Sequence, residues 1–483
     1  MLSPDIEAYR LMRANRFVEA LPFAERAVAG SSVCLPAHGM LATILLQLGR
    51  ISEAESIVCR ALQCRPGVAD AYDALAHVSM LLGQHERSNA LYRRAVEVAP
   101  GEARFWYNLA SSERSFGRLI EAEAACNKAI ALDSNQYATY LLRSELRVQS
   151  ADENHIGELE SQLSRHDLPE HARVILGYAL AKELDDLHRF DEAFRWFADA
   201  ASTRRRQLTY DVRVDEHKLK RIAESFPKAP QRHESEHINS AQFIFIIGLP
   251  RSGTTLVEHI LSGLPCVRSN GETDNFSRSL LAAAPPGPED IFARAAAADP
   301  HAVATHYAKL ANPGATPHKI IEKMPLNYLY LGAIRNALPR SSIVVVRRQP
   351  LDSCFAMYRT LFGVAYPFSY AFDDLAHYYG AYDRLMQHWR ASFGETLHEI
   401  EYEKLVENPQ REGARLASYC GVSWKAEALE VQKSASVSLT ASASQVRRPI
   451  YGSSSGRWRH YRAHLQPLIQ ELLRQGLTLP QDT

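Results

Sequence analysis

Small and apolar residues follow one rhythm in the first part of the chain and another after residue 241. Up to about residue 136 they recur on a 34-residue period. Ala27, Ala61, Ala95 and Ala129 form one column, and Ala20, Ala54, Ser88 and Ala122 form a second, seven residues earlier. Asn15, Gly49, Gly83 and Gly117 form a third column, and Ser32, Pro66, Pro100 and Ser134 a fourth. The pattern predicts helix, tight turn, helix, breaker. Small residues let paired helices approach, glycine or asparagine supplies the turn conformation, and proline ends the second helix. A weaker unit is expected at 169–205, where Leu176, Gly177, Ala179 and Ala181 precede Phe190-Asp191-Glu192-Ala193 and Ala200. Residues 137–168 read as helical but out of register. Between 206 and 240 the composition turns charged and polar, which predicts a linker. Arg204, Arg205 and Arg206 suit the negative end of a helix better than a nucleic-acid contact.

From residue 242 the pattern becomes that of buried strands. Gln242-Phe243-Ile244-Phe245-Ile246-Ile247 is a run of β-formers, as expected of a strand covered on both faces. It leads into Gly248-Leu249-Pro250-Arg251-Ser252-Gly253-Thr254-Thr255 and then a helical stretch. Strand, glycine-bearing loop and helix start are the elements of an anion site, where backbone N–H groups and the helix dipole face a phosphate. Arg251 adds a guanidinium suited to bidentate contact, and Ser252, Thr254 and Thr255 add hydroxyl donors. A second strand, Ile343-Val344-Val345-Val346, ends in Arg347-Arg348.

Length and charge narrow the picture. The chain has 483 residues, enough for two to four folding units. Lys plus Arg and Asp plus Glu both number 55, so no overall field recruits nucleic acid, and an anion site must be built locally. Seven cysteines are scattered without a C-x-x-C pair, the pattern expected of reduced thiols in the cytoplasm. The apolar runs 243–249 and 343–346 are far shorter than the ~20 residues of a membrane span, and the first residues lack the order of a signal peptide. The expected chain is soluble and cytoplasmic.

The loop differs from the nucleotide P-loop, G-x-x-x-x-G-K-[ST]. The glycines are at the right spacing, but Thr254 replaces the lysine and the cation moves to Arg251. A magnesium-dependent NTPase also places an acidic residue at the end of a neighbouring strand; here Arg348 follows the strand. A kinase or NTPase is therefore the less favoured reading.

Two resemblances emerge from these motifs. The four columns resemble the tetratricopeptide repeat, which implies a helical solenoid whose concave face docks a protein partner or, equally, a scaffold for the rest of the chain. Residues 241–483 resemble the sulfotransferase superfamily, specifically the tetratricopeptide-repeat sulfotransferases and the related tyrosylprotein sulfotransferases. The expected architecture is an all-α solenoid over 1–205, a linker over 206–240, and a P-loop-like α/β domain with a parallel sheet over 241–483. The resemblance implies 3′-phosphoadenosine 5′-phosphosulfate as donor and a hydroxyl-bearing acceptor, which the sequence leaves open among protein (tyrosine included), glycan and small molecule.

Residue by residue, the resemblance implies donor contacts at Arg251, Ser252, Gly253, Thr254 and Thr255 for the 5′-phosphosulfate end, and at Arg348 for the 3′-phosphate. Tyr402 and Tyr451 would line the donor pocket, and Arg448, Arg457 and Ser442 would reach the phosphates or the sulfate. Glu272, in Asn270-Gly271-Glu272-Thr273, takes the place of the family's general base, with His259 as second choice. Lys323, 25 residues before Arg348, takes the place of the lysine beside the bridging oxygen, with Ser442 as second donor. No metal is implied. Eight residues after Arg348, where the family has a serine on the 3′-phosphate, this chain has Ala356, and Gln349 stands where relatives carry aspartate. Loss of that hydroxyl motivates a third reading, a catalytically weak repeat adaptor whose α/β domain has lost donor affinity.

Overall fold

A computed structural model describes residues 3–29, 36–64, 67–226, 238–287, 290–430, 450 and 455–479. The chain divides into two compact units, residues 1–148 and 149–483.

The first unit is a run of antiparallel helix pairs: Pro4–Arg13 with Phe17–Val28, Pro36–Gln47 with Ile51–Gln63, Ala69–Leu81 with His85–Val98, and Ala103–Phe116 with Leu119–Leu132, followed by Tyr137–Leu146. The turn column explains the repeat. Asn15, Gly49, Gly83 and Gly117 all adopt left-handed backbone, with φ between 57° and 76°, a conformation glycine and asparagine tolerate best. Ala54, Ala61, Ala95, Ala122 and Ala129 are fully buried, so each column of small residues marks a helix–helix contact.

The second unit begins with helices Ile156–Leu163, Glu170–Asp186 and Phe190–Arg206. The last two form the weaker repeat-like pair: a Cβ on Gly177 would come within 3.0 Å of Cβ of Ala200. Residues 212–225, in the stretch expected to be a linker, form a helix, Val212–Ser225. Asp211 caps it by accepting from the Arg213 N–H, and Leu219 and Ile222, one turn apart, are buried.

At the centre of this unit is a five-stranded, all-parallel sheet: β1 (Phe243–Gly248), β2 (Val267–Ser269), β3 (Lys319–Lys323), β4 (Ser342–Arg347) and β5 (Leu397–Glu401), in the order β2-β3-β1-β4-β5. All six residues of β1 are buried, as its unbroken apolar run predicts. The register positions the chemistry. Ile246 pairs with Lys323 of β3, and Gly248 with Val346 of β4. The loop leaving β1 therefore emerges between the carboxyl ends of β3 and β4, where parallel open sheets bind ligands.

A buried carboxylate ties the leading helices to the end of the chain. Asp185 pairs with Arg359 at 2.5 Å and with Arg457 at 2.7 Å, and accepts from the Tyr461 hydroxyl. Burial alone would raise the Asp185 carboxyl; the Arg359 and Arg457 guanidiniums outweigh it and hold the group below the usual carboxylate range. No described helix is long and apolar enough to cross a membrane.

Candidate active site

The loop after β1 runs into the helix Thr254–Ser262, whose N-cap is Gly253 at φ +104°. Arg251 also has left-handed backbone, φ +66°. Ser252, Thr254 and Thr255 are buried, and the Ser252 hydroxyl has no hydrogen-bond partner among the described residues. A buried hydroxyl so placed costs free energy unless something it can bond arrives. Gly253 leaves room for nothing larger. A Cβ there would stand 2.5 Å from Cδ2 of Tyr402. Together the loop, the short hydroxyls and the helix start form a cradle suited to an anion.

Arg348 closes one side of this cradle. Its Nη1 donates to the Arg251 carbonyl at 3.0 Å, and its guanidinium lies over the Tyr402 ring, 4.9 Å from the centroid. Tyr402 begins the helix that follows β5. Arg251, Gly253, Arg348 and Tyr402, four positions up to 151 residues apart in sequence, thus meet at one place. Asp352, in the first turn of the helix Pro350–Tyr358, faces Arg348 at 3.9 Å and accepts from the Gly456 N–H at 2.6 Å. That contact anchors the start of the last segment beside Arg348. Arg457 itself turns to Asp185 and does not join the loop residues. Ser442, Arg448 and Tyr451 lie outside the described residues.

The other side of the site is the carboxyl end of β3. Lys323 is fully buried, and its Nζ forms an ion pair with Glu272 Oε1. The turn carrying Glu272 is stitched to β3 by backbone bonds: the Asn270 N–H donates to Ile321 O at 2.9 Å, and the Lys323 N–H to Gly271 O at 3.0 Å. A second carboxylate, Glu258 on the loop helix, lies 3.5 Å from Lys323 Nζ. Its Oε1 accepts from Ser269 Oγ at 2.5 Å, and Ser269 Oγ accepts from the Gly271 N–H at 2.9 Å. Burial raises the Glu258 carboxyl above its ordinary value, with Lys323 and Ser269 opposing. Glu272 is the more exposed of the two, its side chain 38% accessible against 10% for Glu258, which suits the one that meets a substrate. His259, the alternative base, is buried in the loop helix at 3% exposure.

Two further groups were not anticipated. Glu322 is buried on the opposite face of β3, where burial pushes its carboxyl up to about 7 and Asn327 donates to it at 3.0 Å. Tyr366 holds left-handed backbone, φ +51°; burial first, then the nearby Glu272 carboxylate, pushes its phenol up to about 12. A positive φ on an aromatic residue is uncommon and marks a constrained position.

Comparison with known proteins follows the same division. Residues 242–426 match the sulfotransferase family, and residues 11–78 and 74–137 match tetratricopeptide repeats. The first part of the chain thus matches tetratricopeptide repeats and the second part matches the sulfotransferase family. A relative in Aquifex aeolicus (strain VF5), an uncharacterized protein, is 28% identical over 383 residues, 76% of this chain; the match spans 50% of that protein's length. Among solved structures, the sulfotransferase domain of the Synechococcus PCC 7002 olefin synthase is 20% identical and covers 52% of this chain and all of its own, with a TM-score of 0.37. A Mycobacterium avium sulfotransferase is 12% identical over 66% of this chain and 97% of its own, TM-score 0.28. YrrB, a tetratricopeptide-repeat protein with an unusual peptide-binding site, is 17% identical over 39% of this chain and 87% of its own, TM-score 0.25. The loop 249–253, Arg348 and the Lys323–Glu272 pair all lie in the stretch that matches the sulfotransferase family.

Proposed function

We propose that the protein transfers a sulfuryl group from 3′-phosphoadenosine 5′-phosphosulfate to a hydroxyl acceptor, protein tyrosine being one candidate. The observation that carries this reading is the flanking of one anion cradle by Arg348 on β4's side and by the buried Lys323–Glu272 pair on β3's side. The donor brings a sulfuryl group already activated on a phosphate leaving group. Arg251, Ser252 and the amides at Gly253, Thr254 and Thr255 bind its 5′ end; Arg348 binds the 3′-phosphate, with Tyr402 beneath the guanidinium. Glu272 accepts the acceptor's hydroxyl proton on a carboxylate oxygen as the new O–S bond forms. Lys323, at the position the resemblance gives to the lysine beside the bridging oxygen, offsets the charge growing on the oxygen that leaves. The repeats serve as a docking or assembly surface, which fits the pairing of a solenoid with an enzyme domain. Incubation with radiolabelled donor and a panel of hydroxyl acceptors (tyrosyl peptide, 4-nitrophenol, a sugar) tests the reading: label on at least one acceptor supports it. A protein that neither binds the donor nor labels any acceptor supports the adaptor reading instead.

Ala356 tests how the 3′-phosphate is held. It is buried on the helix that follows Arg348. Ala356→Ser is expected to tighten adenosine 3′,5′-bisphosphate binding by roughly ten- to a hundredfold, the effect of one hydroxyl donated to a charged oxygen. Serine adds one atom, so steric cost is small. The gain should vanish with the analogue lacking the 3′-phosphate. An equal gain with both ligands means position 356 does not face that phosphate.

A further inference from the structure

Glu258 is a buried carboxylate that neither the donor cradle nor the proton transfer uses, yet it lies on the lysine both depend on. Lys323 is entirely inaccessible, and its ammonium is shared between Glu272 and Glu258. Glu258 is held in turn by the Ser269 hydroxyl, and the same hydroxyl accepts from the Gly271 N–H next to Glu272. The loop helix, edge strand β2, the turn carrying Glu272 and strand β3 are thus linked through one carboxylate. We propose that Glu258 is a positioning residue, which fixes the Lys323 ammonium in place and keeps it in place after Glu272 has taken the acceptor's proton.

Charge moves through this site during the reaction, given the roles proposed above for Glu272 and Lys323. Before transfer, two carboxylates share one ammonium. An ammonium has three N–H donors, so two carboxylates leave one for the departing oxygen. When Glu272 becomes protonated it ceases to be a counter-ion. A fully buried ammonium then needs another fixed partner, since desolvation favours its neutral form and frees it to turn. The departing phosphate supplies charge but no fixed position; Glu258, tied down by Ser269, supplies both. The charged and titratable groups around this pair are Glu258 from the loop helix, Lys323 from β3, Glu272 from the turn after β2, and Tyr366 from the segment before the long helix Phe372–Phe393.

The test compares wild type, Glu258→Gln, Glu258→Asp, Ser269→Ala and Glu272→Gln in donor turnover, read as adenosine 3′,5′-bisphosphate released with water as acceptor across pH. Affinity for adenosine 3′,5′-bisphosphate is measured in parallel as a control on folding. Glu258→Gln is expected to lower kcat by about ten- to a hundredfold, the effect of losing a hydrogen-bonded charge, with affinity for the bisphosphate held within about twofold. It also removes a negative neighbour of Glu272 and leaves Lys323 wholly to it, so the acid limb of the rate profile should move to lower pH. Ser269→Ala should move the limb the same way by less, and Glu258→Asp, which keeps the charge, should restore its position. An unshifted profile in both Glu258→Gln and Ser269→Ala, with kcat near wild type or with rate and affinity falling together, overturns the proposal. If Glu272→Gln alone leaves turnover unchanged, the assignment of the base has failed, and the proposal with it.

Discussion

Arg251→Ala is expected to remove measurable binding of adenosine 3′,5′-bisphosphate while leaving the protein's unfolding transition where it was. The side chain is partly exposed on a loop, so truncation opens no core cavity. One contact that Arg251 gives to the site is through its carbonyl, which accepts from Arg348, and alanine retains that carbonyl. Alanine also meets the left-handed backbone at φ +66° on much the same terms as arginine. What disappears is the charge-assisted contact to a phosphate. Titration calorimetry and a thermal melt on the same sample separate the two effects. Unchanged affinity would remove the loop from the donor site; lost affinity together with a lowered melting temperature would make Arg251 structural.

Glu272→Gln is expected to lower turnover by about 10²–10⁴-fold, the usual contribution of a general base, with little change in donor affinity. The amide retains an oxygen for the Lys323 ammonium, so the turn and its backbone bonds to β3 should survive. It cannot take up a proton. Single-turnover rates on an acceptor that the wild type uses give the measurement. A fall of less than about tenfold would mean that another group accepts the proton.

Much of this arrangement is legible in the sequence because it is local. The turn column of Asn15, Gly49, Gly83 and Gly117 announces left-handed backbone, and every member has it. The run Phe243 to Ile247 announces a buried strand, and the glycine-bearing loop after it announces the turn into the helix Thr254–Ser262. Lys323 and Glu272 are individually legible only through resemblance to a family; their ion pair depends on β3 lying beside the turn after β2, a register no local pattern encodes. Other features stay hidden for the same reason. Glu258 looks like any polar position on a helix until the fold sets Lys323 against it. Asp185 meets Arg457 across 272 residues, so the arginine that the family pattern assigns to the donor is seen on a buried carboxylate. The helix Val212–Ser225 has few apolar residues, and its buried face shows only once the long helix Phe372–Phe393 is packed against it.

On this reading the cradle after β1 binds a nucleotide with two separate phosphates and needs no magnesium to do so. Titration calorimetry of the wild-type protein with adenosine 3′,5′-bisphosphate, in buffer containing a metal chelator, tests this most directly. Saturable one-to-one binding in the micromolar range is expected, weakened when the 3′-phosphate is missing. No heat with this ligand, or binding of ATP that appears only when magnesium is added, would contradict it.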